Sequence, residues 1–231
     1  MKIKDDILSY REMCDAENMQ TLQRGMNYRL NPKYSVVLMS QRSGAPYNDV
    51  VHEDGVTIEY EGHDVTRNSG SHPKTQDQPS KLPSGKLTQN GLFMKAIEDF
   101  KKGKNPELVK IYEKVFPGVW SMKGFFDLID VKVAHDGIRN VYKFILKVSA
   151  RQDSGVSEPV SQRLEHTRLI PSDVKKEVWK RDMGKCVSCG SSTNLHFDHD
   201  LPFSKGGTSL SAKNVRLLCM KHNLQKSDKI E

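Results

Sequence analysis

Four residues near the C-terminal end of this 231-residue chain have the types and spacing of a metal site. Cys186 and Cys189 form a C-x-x-C pair, and Cys219 and His222 form a C-x-x-H pair. Thiolate and imidazole suit tetrahedral zinc, and a two-residue gap lets both members of a pair face one ion. Four protein ligands leave no coordination position open, so the zinc is expected to be structural. Interleaved with these ligands is a second set. Leu195-His196-Phe197-Asp198-His199 alternates apolar and polar residues as a strand does. Pro202, Ser204, Gly206 and Gly207 then break the pattern into a loop. Asn214 follows, and His222 to Lys226 are predicted on a short helix.

Together these residues read D-H-x-x-P-x-S-x-G-G and then N-x-x-x-L-C-x-x-H-N-x-x-K. That pattern, from about Ser172 to Lys229, resembles the HNH endonuclease family. The resemblance implies a ββα-metal domain that hydrolyses phosphodiester bonds. Such hydrolysis needs an activated water and charge stabilisation on the leaving oxygen, which a neutral histidine and one divalent cation can supply. By the resemblance His199 is the general base, and Asp198 and Asn223 are ligands of the catalytic cation. Asn214 holds the loop and orients the base. Neighbours on a strand point to opposite sides, so Asp198 and His199 can take separate roles. Oxygen ligands from Asp and Asn favour magnesium or manganese. His196 shares a face with Asp198. It either assists metal or phosphate binding or is a half-exposed strand histidine. The second zinc pair ends in His where many family members have Cys.

These elements must be positioned by the rest of the chain. Its 36% hydrophobic content suffices for two small cores, and no apolar run approaches the ~20 residues of a membrane helix. The opening MKIKDDILSYRE lacks the apolar centre of a signal peptide, so a cytoplasmic location without membrane attachment is expected. Thiols committed to a metal agree with a reducing compartment, and Cys14 is left over as an ordinary residue. The formal charge is +7. Residues 161–231 carry 13 Lys+Arg against 8 Asp+Glu, or +5, and the remaining 160 residues carry 23 against 21, or +2. A positive excess around the proposed catalytic module suits a polyanion, and with the motif it points to double-stranded DNA.

Upstream, Tyr34 to Ser40 reads as a buried strand, Asp54-Gly55 as a turn and Val56 to Tyr60 as an alternating strand. A strand, Tyr-x-Asp-Val, a glycine turn and a strand ending Tyr-x-Gly resemble the SRA (YDG) domain, a curved β-barrel of the PUA-like class. Asp77-Gln78 with Leu87-Thr88-Gln89-Asn90, then GVWSMKGFFDLID, a DG hairpin and KFILKV, extend that likeness over residues 34–148. The resemblance implies a module that flips a modified cytosine out of duplex DNA. A flipped base needs flat surfaces to stack on and partners for its Watson–Crick edge. Tyr47 and Tyr60 match the family's stacking aromatics, and Asp49 matches, within one residue, the carboxylate that accepts from the cytosine amino group. Residues 67–90 are either a solvated loop or one that enters a groove, with Gln76, Asp77 and Gln78 on DNA.

The remaining elements are a polar helical stretch over 1–25, which is a docking or dimer helix or a domain cap, and a core-facing helix from Gly91 to Lys102. Strands are expected over Leu108–Val115, Trp120–Val133 and Val141–Val148. A helix from Asp173 to Arg181 is capped by Ser172 and stopped by Gly184. The expected fold is α+β, with a curved barrel and flanking helices over 1–149, a linker over 150–167 and a zinc-stabilised ββα-metal domain over 168–231. Joined, the two resemblances look like the bacterial modification-dependent restriction endonucleases. One such centre cuts one strand, so cutting both implies a homodimer or two binding events. Two other readings stand beside this one. In the first, the nuclease is joined to a domain that binds unmodified DNA by sequence or shape. In the second, the chain is a non-catalytic zinc-dependent DNA-binding regulator.

Overall fold

The computed structural model describes residues 6–66, 72–151, 169–201 and 207–226. The expected linker lies almost wholly outside these residues, as do positions 67–71 of the polar loop and Pro202 to Gly206 of the C-terminal motif.

The N-terminal region is built on eight strands. They are β1 (Ile7–Ser9), β2 (Met26–Asn31), β3 (Tyr34–Met39), β4 (Val50–Val51), β5 (Thr57–Glu61), β6 (Glu107–Phe116), β7 (Val119–His135) and β8 (Asn140–Val148). They pair in the order β2-β3-β6-β7-β8-β5-β4, with β1 alongside the start of β7. Among the described strands only β3 and β6 run parallel, and helix α2 (Gln89–Lys101) lies in the long connection between β5 and β6. Strand β7 is long enough to pair with β6 through its first half and β8 through its second. It shifts register against both, which bends the sheet.

Both faces of the sheet are covered, which explains why β6 is buried along nearly its whole length, charged Glu107, Lys110 and Glu113 included. Val37, Val109 and Ile111 face one core with Phe93 and Ile97 of α2. Val36, Leu108 and Tyr112 face another with Met13 and Cys14 of helix α1 (Tyr10–Ala16). The polar stretch expected to be helical over 1–25 is thus an edge strand followed by a seven-residue helix, capped by Ser9 with Glu12 answering to its backbone. Its apolar face covers the second core, as a domain cap does.

The sheet curls until its two ends share one core, but no ladder joins β2 to β4 among the described residues. The closure is made by side chains. The Asp49 carboxylate accepts from Ser40 N at the end of β3 and from Glu61 N at the end of β5, both at 3.1 Å. The Tyr60 hydroxyl crosses from β5 to the Leu38 carbonyl at 3.4 Å. The expected barrel is therefore a curled sheet latched by Asp49 and Tyr60.

The D-Q…L-T-x-N stretch turns out to be framework. Gln78 is buried. Its amide donates to the Gly62 carbonyl and accepts from Tyr142 N, and Asp77 holds both the backbone and the side chain of Asn140. Arg139, also buried, binds Asp64 and the carbonyls of Pro73 and Gln76. Thr88 caps α2, and Asn90 bonds His63 N, His63 O and Pro79 O. A Cβ on Gly91 would lie 2.1 Å from the Ser80 carbonyl oxygen, so only glycine fits there. Gln78 is thereby committed within the protein, while Asp77 stays at the surface with its carboxylate on Asn140.

The C-terminal module comprises α3 (Ser172–Arg181), β9 (Leu195–His199), β10 (Val215–Cys219) and α4 (Met220–Lys226). Strands β9 and β10 are antiparallel, with Asp198 opposite Arg216 and His199 opposite Val215. Ser172 does not cap α3. Pro171 precedes the helix without a side-chain cap, and Ser172 turns inward. At the other end Gly184 takes φ +63°, and a Cβ there would meet Trp179 at 2.8 Å. No described helix is long and apolar enough to cross a membrane.

The expectation that follows concerns Asn90. Asn90→Ala should lower unfolding stability by about 2–3 kcal/mol, because it leaves buried backbone groups without partners. The exposed Asn140→Ala should cost less. Denaturant unfolding of both variants is the measurement.

Candidate functional site

Two sets of side chains carry chemistry, one in each region. The first lies where the sheet closes. The segment between β3 and β4 folds over the end of the curled sheet and forms a pocket of about 630 Å³, with Tyr47, Asp49, Glu61, Lys74 and Arg42 in its wall. A neighbouring pocket of about 490 Å³ shares Tyr47 and Asp49 and adds Tyr10 and Trp120. Tyr47 is half-buried, and Lys74 Nζ stands 4.1 Å from its ring centroid. Lys74 also donates to the Pro46 carbonyl and pairs with Asp64 at 3.1 Å.

Asp49 is 5% exposed. Burial pushes its carboxyl up to about 7, against the pull of the Glu61 and Ser40 N–H groups. Nearby Glu61 raises it further and Lys143 lowers it. Each carboxylate oxygen receives one backbone N–H and keeps capacity for another partner. A carboxyl near half-protonation at neutral pH can either accept from an amino group or donate to a ring nitrogen.

The structure brings Tyr47 and Asp49 to one pocket but not Tyr60. Tyr60 is 2% exposed, and its ring packs in the main core. Its hydroxyl sits behind Gly25, where a Cβ would approach it to 2.7 Å. In this conformation Tyr60 offers no open face for stacking. Strand alternation explains why: Ile58 and Tyr60 point inward together.

The second set is metal-centred. The ligand atoms of Cys186, Cys189, Cys219 and His222 all lie within 4.8 Å of one another. Cys186 Sγ is 3.6 Å from His222 Nδ1, Cys219 Sγ is 3.2 Å from the same nitrogen, and Cys189 Sγ is 3.9 Å from Cys219 Sγ. A tetrahedral ion with bonds of about 2.3 Å to sulfur gives edges of about 3.7 Å, so the set fits zinc. Burial opposes ionisation of Cys186, but N–H groups of Cys219, Ser188 and Cys189 outweigh it and lower the thiol to about 6. The ligands come from the knuckle after α3, the end of β10 and the first turn of α4. One ion would therefore tie the knuckle after α3 to β10 and α4.

That tie places the Asp-His pair. His199 ends β9, with its Nε2 2.9 Å from the buried Ser209 hydroxyl. Asn214 clamps the intervening loop: Leu201 N donates to its Oδ1 at 2.8 Å, and its Nδ2 donates to the carbonyls of Leu201 and Thr208 at 3.0 Å. Gly207 permits this, because a Cβ there would lie 1.8 Å from the Leu201 oxygen. Asp198 Oδ2 is 2.5 Å from the buried Lys226 ammonium, which also reaches the His199 carbonyl. Asn223 lies three residues before Lys226 on α4, and the two share a side of the helix. Asp198 and His199 thus lie at one end of the β9–β10 pair, and Lys226 ties to them the helix that carries Asn223.

His196 fits neither of its two expected roles. It is 3% exposed, and its Nδ1 is 2.6 Å from Asp6 Oδ1. Lys226 and Ser209 had no role in the sequence reading. Lys226 was visible only as the last letter of the motif, and Ser209 lies in a loop whose path is set by Asn214.

No protein-family model matches the chain, and no curated protein matches it. Solved structures do. The chain is similar to the SUVH5 SRA domain in complex with methylated CHH DNA, at 16% identity over 64% of this chain and 90% of that one, with a TM-score of 0.45. The SUVH5 SRA domain bound to fully hydroxymethylated CG DNA matches at 17% over 66% and 90%, with a TM-score of 0.44. Arabidopsis thaliana SUVH6 in complex with SAM matches at 17% over 76% of this chain, which spans 29% of that larger protein, with a TM-score of 0.44.

Two measurements follow. Removing zinc with a chelator should unfold the C-terminal module and expose residues 172–226 to protease, while the N-terminal sheet stays protected. Protection that persists after metal analysis shows no zinc would contradict this. For Asp49, the folded carboxyl binds its proton more tightly than the unfolded one. Its contribution to stability is full below about pH 4 and is lost as pH rises towards 7. The stability difference between the native protein and Asp49→Asn should therefore move against the native protein over that window and level off above it. Thermal unfolding from pH 4 to 8 reads this directly.

Proposed function

We propose that this chain is a modification-dependent DNA endonuclease: an SRA-like N-terminal module receives a flipped modified cytosine, and an HNH-type C-terminal module hydrolyses the backbone nearby. The observation that carries the catalytic half is the placement of Asp198 and His199 at the end of a two-stranded sheet that Asn214 clamps, that Lys226 ties to the helix carrying Asn223, and that a Cys3His cluster braces. A module built only to bind zinc has no use for that set. The recognition half is supported by Tyr47 and Asp49 on one pocket wall.

In this reading His199 removes the proton from the attacking water, with its ring held by Ser209. Asp198 and Asn223 offer hard oxygen donors that fit magnesium or manganese, and such an ion would stabilise charge on the scissile phosphate and leaving oxygen. Lys226 already brings positive charge to Asp198 and fixes α4 against β9. On the N-terminal side Tyr47 provides the stacking face, from which Lys74 must withdraw. Asp49 meets the Watson–Crick edge of the base. A single centre cuts one strand, so double-strand scission requires a second copy or a second binding event.

One observation favours a second reading, in which the N-terminal region binds unmodified DNA by sequence or shape. Tyr60, matched to a stacking aromatic, is instead part of the core.

The deciding experiment is cleavage, with Mg²⁺ or Mn²⁺, of matched duplexes carrying cytosine, 5-methylcytosine, 5-hydroxymethylcytosine or its glucosylated form. Cutting of modified duplexes only is expected, with at least a ~10²-fold loss in His199→Ala. Equal cutting of all four would leave the nuclease and remove the modified-base reader. DNA binding without cutting in any condition would make the chain a regulator.

A further inference from the structure

The two modules are docked, and the contacts that dock them come from several directions. Leu169 and Ile170 are consecutive, yet Leu169 lies in the core of the curled sheet and Ile170 in the core of the C-terminal module. Leu169 N also donates to the Gly55 carbonyl at 2.8 Å. Beyond them the first turns of α3 rest on the sheet. Ser172 Oγ meets Gln41 Oε1 at 2.6 Å and also contacts Glu113. Lys175 Nζ donates to Ser121 Oγ at 2.8 Å and lies 3.8 Å from Glu113 Oε2, while Lys176 Nζ reaches the Gln41 carbonyl at 3.2 Å. From another side Asp6 binds His196, and Ile7 of β1 packs into the C-terminal core. Gln41 joins this interface to the pocket, because its Nε2 donates to the Asp49 carbonyl at 3.1 Å.

We infer that this interface, and not the 152–168 connection, sets where the DNA is cut: the nuclease centre is held in one register relative to the Tyr47–Asp49 pocket, so scission falls at a fixed number of nucleotides from the modified base. This rests on the proposed function. The alternative is a module on a free tether. A chain with the length of 152–168 spans roughly 20–25 Å root-mean-square. At about 3.4 Å per base pair, that would scatter cuts over about six or seven base pairs. Undocking would leave the Lys123–Glu113 pair in place but part Lys175 from Glu113 and Ser121, and Ser172 from Glu113 and Gln41, contacts that are buried in the docked state. Gln41 is a positioning residue in this scheme, since it touches the Asp49 backbone on one side and the start of α3 on the other.

The test maps cut positions at nucleotide resolution on a long duplex with one modified cytosine. The native chain should give one dominant position per strand. Ten Gly/Ser residues inserted within 152–168 should leave that position unchanged. Lys175→Met and the milder Gln41→Ala should spread it over several base pairs. A cut that shifts or scatters on insertion would overturn the inference, as would a sharp cut in both docking variants. A second readout does not depend on cleavage. With a protease site placed in 152–168, the two pieces should co-elute on gel filtration after proteolysis, and their separation would overturn the docking. If the native chain cuts no DNA but the pieces stay together, the proposed function fails and the docked interface stands.

Discussion

One carboxylate, that of Glu113, sits where the molecule can least tolerate an unpaired charge. It lies on β6 beneath the first turn of α3, and both it and its two lysine partners are removed from water. Burial alone would raise its pKa. The Lys123 and Lys175 ammonium groups, with hydrogen bonds from Lys123 and Ser172, hold it below the usual carboxylate range. The partners come from different elements: Lys123 from β7, Lys175 and Ser172 from α3. The buried, ionised Glu113 is thus held by β7 and α3 together, which joins the sheet to the C-terminal module. Removing a single partner of such a pair typically costs about 3–5 kcal/mol, because the other charge stays buried.

The same logic recurs at the closure of the sheet. Asp49 replaces the ladder that would otherwise join the ends of the curl, and it does so at the wall of the pocket. A carboxyl that latches β3 to β5 is held still by two backbone N–H groups, the rigidity that the proposed role in base recognition would require. Its position between burial and hydrogen bonding leaves the proton loosely committed near neutral pH. Tyr60 shows the other side of that economy. Its ring fills the core and its hydroxyl spans the closure, whereas Tyr47 stands outside the sheet with Lys74 over its ring.

What could be read from the sequence is what depends on local spacing. The four metal ligands fall in two pairs with a fixed gap, and the pairs meet because β9 and β10 align them. Strands β3, β6 and β8 and helix α2 were legible within a few residues, because their apolar patterns answer to nearby cores. The D-Q…L-T-x-N stretch was legible as a motif, but its role was not. Whether an amide faces DNA or a neighbouring carbonyl depends on the hairpin it packs beneath, and here Gln78 meets Tyr142 and Gly62. Ser172 was misread as a cap for a similar reason. A serine at a helix start ordinarily turns to the backbone N–H groups, and only the presence of Gln41 and Glu113, distant in sequence, draws it inward. His196 likewise looks half-exposed until Asp6 arrives from the other end of the chain.

These long-range pairs share a chemistry, and it bears on why the modules meet as they do. An apolar patch holds two surfaces together but lets them slide, since area buried changes little with small displacements. Hydrogen bonds and buried ion pairs do not slide, because a shift of an ångström or two leaves donors and acceptors unpaired. The interface between the sheet and α3 combines both kinds. Leu169 and Ile170 supply adhesion to the two cores, and Glu113, Lys175, Ser172 and Gln41 supply direction. Buried polar groups of this kind contribute little net stability against apolar replacements, and their best-attested use is to specify register. Under the proposed function, reading DNA at one place and acting on it at another calls for register more than adhesion, and these polar groups lie at the surface where the two modules meet.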